Sequence, residues 1–356
     1  IFRKLQRLTK GVFLVLVKEL KELSNLSEDL GKNLNLIQGA GGNTSVKIDE
    51  VLWVKASGYW LSDANKKNIF VPVNYKGIIE NLENSNNDPV IAEVINKNEI
   101  GELRPSIETT LHAVMPQKYV VHNHSVNSIV NTIAQSYMSE LKEKLDGLDW
   151  GVVKYAKPGL PLTEEVRKVA NTGADVIVLA NHGIVIASND IDKLKKKINE
   201  VEKRLHRPLR DIKQKIQYEK IHALISDTEY ILPKYELVHS LALDKETIKA
   251  ISYRSLYPDH VVFLGPGPMT VVNMEKANKL VSNDIGKHNA VVIENIGVIV
   301  HQASSENIDG MLHCLANTLL RVQPNEKLSY LSEQDELELL DWNAEEYRQS
   351  IQKKRV

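Results

Sequence analysis

The segment YVVHNHSVNSIV, residues 119–130, places His122 and His124 either side of one asparagine at the end of an apolar run. On an extended strand, residues two apart point to the same face, about 6.5–7 Å from each other. Two imidazoles so placed can converge on one cation, and imidazole is a common ligand of Zn²⁺. A His-x-His pair alone also occurs on ordinary surfaces, so the chemistry needs further groups. His182, in LANHGIV, stands at the tip of a strongly apolar strand, before Gly183. It reads either as a core histidine bonded to backbone or as a third ligand, which would leave the fourth coordination position open for substrate. Glu108, in RPSIETTLHAVM, falls in a first helical turn just upstream of the His-x-His strand. There it complements a helix N-terminus or acts as a general base beside a metal. His112, four residues on, shares that helical face; it reads as packing or support, with ligand a poor second.

The glycine-rich stretch GAGGNTS raises the question of a nucleotide. A dinucleotide fingerprint needs G-x-G-x-x-G opening a helix. Here Thr44 takes the last glycine position and strand-like VLWVKASG follows. The Gly-Lys-Ser/Thr of a P-loop is absent, so both motifs fail. Flexible backbone N–H groups with Asn43 and Ser45 could cradle an anion such as phosphate; a structural hairpin turn is the simpler alternative.

Several elements must position these groups. Leu5, Leu8, Phe13, Leu16 and Leu20 are near helical spacing over residues 3–30. Pro105 ends what precedes it, Ser106 can cap, and a helix follows. YVVHNHS is a buried strand with a helix over 125–135, and ADVIVLANHGIVIAS is strand, tight turn, strand. DIDKLKKKINEVEKRL is a long helix with a charged outer face. NSNND at 84–88 is a loop by composition. The second half echoes the first: YAKPGLPLT against FLGPGPMTV, and VIVLANHGIVIAS against VVIENIGVIVHQA, aligning Ile296 with His182. The echo is either chance likeness of two hairpins or a degenerate half-repeat.

The 356 residues, 42% hydrophobic and 26% charged, suit a soluble globular chain with a real core. A net charge of −1 with interspersed signs gives no electrostatic footprint for nucleic acid. The single cysteine, Cys314, excludes an intrachain disulfide and points to a reducing, cytoplasmic setting. GVFLVLV at 11–17 is too short to span a bilayer and lacks a signal-peptide cleavage site. The chain starts at Ile1, so the natural N-terminus is expected to lie outside it. The expected division is a metal-binding domain over 1–225 and a C-terminal α/β lobe over 226–356.

GGNTS, SG at 57–58, RPSIETTLH, VVHNHS and VLANHGIVI, in this order, resemble the class II aldolase/adducin family over about residues 30–205. The resemblance implies an α/β chain with a three-layer α/β/α fold and a central, mainly antiparallel sheet. It also implies a divalent metal, usually Zn²⁺, held by three histidines that match His122, His124 and His182. The catalytic acid/base glutamate matches Glu108, and the phosphate-binding positions match Asn43, Ser57, Gly58 and Ser106. Ile107 stands where some sugar-phosphate aldolases carry a second serine, which puts the substrate's phosphate in question. YPDHVVFLGPGPM and LSEQDELELLDWNAEEYRQ look like the later part of long rhamnulose-1-phosphate aldolase-type proteins. That group often adds a short-chain dehydrogenase; here the expectation is the aldolase portion alone. His260 and His301 receive no role.

The activity so implied is reversible cleavage of a ketose or ketose 1-phosphate through a metal-stabilised enediolate. Related chemistries in the family are pentulose-phosphate 4-epimerisation and sugar-acid decarboxylation. The known epimerases carry aspartate where Glu108 stands, which favours the aldolase. A non-catalytic adducin-like interaction module is the alternative of another class, and retention of all three histidines argues against it. The expected partners are a sugar or sugar phosphate and further copies of the chain in a homo-oligomer, without nucleic acid or membrane.

Overall fold

The computed structural model describes residues 10–84, 88–283, 288–304 and 306–340. Leu5 and Leu8, most of the expected 84–88 loop and the tail beyond 340 lie outside the described residues. The chain runs α1 (Lys10–Gly31), β1 (Asn43–Ile48), β2 (Val51–Lys55), β3 (Phe70–Asn74), α2 (Tyr75–Asn84), α3 (Lys97–Ile100) and α4 (Thr109–Val114). Then come β4 (Tyr119–Asn123), α5 (Val126–Thr132), α6 (Tyr137–Lys144), β5 (Trp150–Val153), α7 (Leu160–Ala170), β6 (Val176–Leu179), β7 (Gly183–Ser188) and α8 (Ile191–Leu205). Beyond α8 lie α9 (Tyr218–Ile225), β8 (Tyr230–Ile231), α10 (Ser240–Leu243), α11 (Lys245–Ile251), β9 (Val271–Val272) and α12 (Met274–Asn283). The last elements are β10 (Ala290–Ile293), β11 (Gly297–His301), α13 (Glu306–Leu319) and α14 (Glu333–Leu340). No helix among the described residues is long and apolar enough to cross a membrane.

Two compact units result. Among the described residues, one takes 10–125 and 145–204; the other takes 126–144 and 205–340. These units interleave in sequence, whereas the expected division has one boundary at residue 225. Val126, Ile129, Val130 and Ile133 follow helical spacing, and this stripe is buried with Leu241, Val292 and Leu315 of the second unit.

The first unit is built on a seven-stranded sheet in the order β3-β2-β1-β4-β7-β6-β5. Every pairing is antiparallel except β5 with β6. Paired residues of antiparallel strands share a face, so Asn43 opposite His122, and Ser45 opposite Val120, define one side of the sheet. On that side Val120, Ile177 and Val185 are buried with Leu111 of α4 and Leu162 and Val166 of α7. Leu52, Val54, Val71 and Val73 are buried with Ile78 of α2. On the other side α1 is tied to β1 by a 2.7 Å hydrogen bond between the Ser27 and Thr44 hydroxyls. The layers are thus helix, sheet, helix.

The tip of the β6–β7 hairpin is set by close approach. A Cβ on Gly183 would stand 2.2 Å from the Asn123 carbonyl oxygen, a backbone atom that cannot swing aside. Gly183→Ala is expected to cost about 1–3 kcal/mol of stability through overpacking, read as a fall in the urea midpoint at unchanged m-value. A midpoint equal to that of the unsubstituted protein would show that the two strands are not clamped here.

The second unit contains a four-stranded sheet in the order β8-β11-β10-β9, with β9 parallel to β10 and the other pairs antiparallel. The set β4-β7-β6-β5 has the same order and the same senses. α7 lies between β5 and β6 in sequence as α12 lies between β9 and β10. Asn181 and Asn295 occupy matching hairpin positions with φ of 55° and 59°. The likeness read between the two hairpins therefore extends to a half-domain, in which Ile296 stands where His182 does.

Candidate metal centre

The residues singled out for chemistry all belong to the first unit. β4 carries His122 into the side of the sheet facing α4, between Asn43 of β1 and Val185 of β7. His124 follows one residue past the strand, where its carbonyl accepts a hydrogen bond from Gln38 Nε2 at 3.3 Å. His182 closes the turn from β6 to β7, after Asn181 in the left-handed conformation. Gly42 lets β1 come close: a Cβ there would meet the His122 carbonyl oxygen at 2.8 Å, and its φ is +60°.

Two segments far apart in sequence, the end of β4 and the β6–β7 turn, thereby bring three imidazoles together. The ring centroids are 5.0 Å apart for His122 and His124, 4.9 Å for His122 and His182, and 5.1 Å for His124 and His182. One possible ligand atom from each lies within 4.8 Å of the others, and all three residues are buried. The Ile184 carbonyl stands 3.2 Å from His122 Nδ1. A neutral ring donates there, which leaves the Nε2 lone pair turned into the cluster.

Glu108 completes the arrangement. Its Oε2 is 3.4 Å from His122 Nε2 and its Oε1 is 3.6 Å from His182 Nε2. Asn43 Nδ2 donates to Oε2 at 2.9 Å, whereas the buried Oε1 accepts no hydrogen bond among the described residues. Burial raises the Glu108 pKa, but the positive charge of His122, then His182 and His124, when these rings are protonated, with the Asn43 amide, outweighs it and holds the carboxyl down at about 2. A cation among neutral rings would supply positive charge of the same sign. The carboxylate is therefore ionised. Three nitrogen donors beside a carboxylate with a spare acceptor oxygen are a donor set that fits a divalent cation.

The helix that carries Glu108 starts later than the sequence suggests. α4 begins at Thr109 with Glu108 as its boundary residue, so Ser106 is not the cap. Instead the Glu108 N–H donates to Ser106 Oγ at 3.3 Å, and Asn43 Nδ2 reaches the same hydroxyl at 3.0 Å. Asn43, Ser57, Gly58 and Ser106 line one small pocket together with Glu108 and Lys55. The Ser57 hydroxyl is buried and has no hydrogen-bond partner among the described residues.

Two residues exceed what the sequence conveyed. Lys55 is only 2% exposed, and its ammonium donates to the carbonyls of Ala40 at 2.7 Å and Tyr59 at 2.8 Å. A lysine next to the SG pair in an otherwise apolar strand was the available signal. His112 is wholly buried, and burial first, then His122, holds its pKa down at about 3, so it is neutral. It bonds to Asn43 and Ser45 rather than to the cluster. His260 and His301 belong to the second unit.

Comparison with known proteins places this geometry in context. "Uncharacterized oxidoreductase YuxG" of Bacillus subtilis (strain 168) is 29% identical over 184 residues, which are 48% of this chain and 26% of that protein. The chain thus covers about a quarter of that relative's length. The N-terminal class II aldolase domain of a conserved Thermoplasma acidophilum protein is 25% identical, with a TM-score of 0.45, covering 52% of this chain and 90% of the other. A sugar-phosphate aldolase from Thermotoga maritima is 15% identical, with a TM-score of 0.43, covering 53% and 93%. The profile described as "Class II Aldolase and Adducin N-terminal domain" matches residues 21–207, more than half of the chain, and encloses every residue of the site. The chain belongs to the class II aldolase and adducin N-terminal domain family.

Proposed function

We propose that the chain is a metal-dependent aldolase, a lyase that reversibly cleaves a ketose or ketose 1-phosphate. The observation that carries this reading is the buried cluster of His122, His124 and His182 with the Glu108 carboxylate 3.4 and 3.6 Å from two of its rings. The three histidines would hold the divalent cation, for which Zn²⁺ is the best match to three imidazoles. When bound, such a cation supplies Lewis-acid stabilisation of the negative charge left by carbon–carbon cleavage.

The chain's own groups supply the rest. Glu108 is ionised and would take up, or return, the proton at the nucleophilic carbon of the substrate. Asn43 holds its Oε2 and leaves Oε1 to work. Burial of the four side chains keeps water from competing for the proton. Asn43, Ser57, Gly58 and Ser106, with the Lys55 charge behind them, would bind the substrate's phosphate at the adjoining pocket.

The test is metal-replete protein offered a panel of ketose 1-phosphates and the free ketoses, with aldehyde release as the signal. Release that disappears on chelation supports the reading. Epimerised sugar without aldehyde, or carbon dioxide from a sugar acid, would transfer the site to a sister chemistry of the family. Ser57 tests the phosphate pocket. Its N–H is already held by the Arg104 carbonyl at 2.9 Å, so the fold does not need its hydroxyl. Ser57→Ala is expected to raise KM for a phosphorylated ketose about tenfold, the worth of one hydrogen bond to a charged group. KM for the free ketose should not move. Equal effects on both substrates would place the phosphate elsewhere.

A further inference from the structure

A chain of buried hydrogen bonds runs from β1 through α4 to Glu108, and its donors and acceptors are determined from end to end. A carboxylate only accepts, so the Asn43 atom 2.9 Å from Glu108 Oε2 must be the amide nitrogen. The same nitrogen reaches Ser106 Oγ at 3.0 Å, which occupies both amide hydrogens. Asn43 Oδ1 then faces His112 Nε2. An amide oxygen only accepts, so His112 carries its proton on Nε2. Its Nδ1 is left with a lone pair, and Ser45 Oγ, 2.7 Å away, donates to it. Asn43 and Ser45 lie on the face of β1 that α4 covers, and His112 sits one helical turn after Glu108.

We propose that His112 is a positioning residue for proton transfer: its Nε2–H locks the Asn43 amide in the orientation that presents NH₂ to Glu108, and so fixes the carboxylate against the imidazole cluster. Were the amide to turn over, Asn43 Oδ1 would face the Glu108 carboxylate, oxygen against oxygen. His112 does not line the pocket, and both of its ring nitrogens are engaged with β1. The role rests on the aldolase reading above and deepens it.

Two substitutions separate positioning from mere packing. In His112→Gln the side-chain amide reaches as far as Nε2 and can still donate to Asn43 Oδ1. In His112→Asn the amide is too short to do so, although it can still meet Ser45. The expected result is a fall in kcat of about 10–100-fold in His112→Asn, with KM and bound metal unchanged. His112→Gln should recover most of that loss. Crystal structures should show Glu108 turned away from Asn43 in the first variant and in place in the second. Equal loss in both variants, loss of metal in His112→Asn, or full activity in His112→Asn would overturn the proposal. If His112→Asn does not fold, Ser45→Ala decides. It removes the donor that fixes the ring's tautomer, and an unchanged kcat there overturns the proposal as well. If the unsubstituted protein cleaves no ketose, the aldolase reading fails by itself. The crystal structures then decide alone: an unmoved Asn43 amide and Glu108 carboxylate in His112→Asn would refute the positioning role.

Discussion

Glu108→Gln is expected to lower carbon–carbon cleavage by about 10²–10⁴-fold, the usual contribution of a positioned acid or base, while the protein keeps its metal. Glutamine has nearly the same shape and retains one carbonyl oxygen for the Asn43 amide, so the pocket should not rearrange. What it loses is the ability to take up a proton. The three histidine nitrogens lie within 4.8 Å of each other without help from the carboxylate, which is why metal content should be insensitive to this change. Rate constants from aldehyde release, set beside metal analysis of the same preparation, make the comparison. Full activity in Glu108→Gln would end the acid/base assignment. Loss of metal along with activity would make Glu108 a ligand.

His182→Ala is expected to act on the metal as well as on the rate. It removes one of three nitrogen donors and leaves a buried gap at the hairpin tip. Without the third donor the site should no longer retain a cation through dialysis. The Lewis-acid contribution of several kcal/mol then disappears, a loss of about 10³-fold or more in rate. A readout independent of turnover is the thermal response to added metal. Binding to the folded state at a hundredfold excess over Kd stabilises by about 2.7 kcal/mol, so the unsubstituted protein should melt higher when Zn²⁺ is supplied. His182→Ala should not. A variant that still takes up one equivalent of metal, with the same thermal shift, would show that His182 is a core residue and not a ligand.

Local patterns carried a good part of the site. The period of two on a strand pairs His122 with His124; β4 ends at Asn123, between them, and the two rings still stand 5.0 Å apart. The left-handed Asn181 and the clamped Gly183 explain why ANHG could be read as a turn that exposes its histidine to a shared space. The antiparallel sheet and its helical layers followed from the resemblance, whose motifs lie inside the matched family segment. What escaped was long-range. His112 bonds to partners 67 and 69 residues away, and no local pattern reveals them. Lys55 is buried because two carbonyls reach its ammonium, whereas alternation alone assigns a lysine to solvent. The interleaving of the two units is long-range in the same way. The apolar stripe of α5 is plain in sequence, but its partners Leu241 and Leu315 come more than a hundred residues later. The start of α4 was missed by a smaller margin, because Ser106 Oγ serves Asn43 and the Glu108 N–H in a loop that only resembles a cap.

Anomalous diffraction at the zinc edge, from crystals of protein purified without chelator and supplied with Zn²⁺, bears on the whole scheme at once. The expected map has one strong peak in the first unit, about 2.0–2.1 Å from a ring nitrogen of each of His122, His124 and His182. Glu108 should stand beside it with an oxygen free for substrate or proton. A map with no peak among these three rings, or a peak held by other residues, would contradict the assignment and leave the family fold without the proposed chemistry.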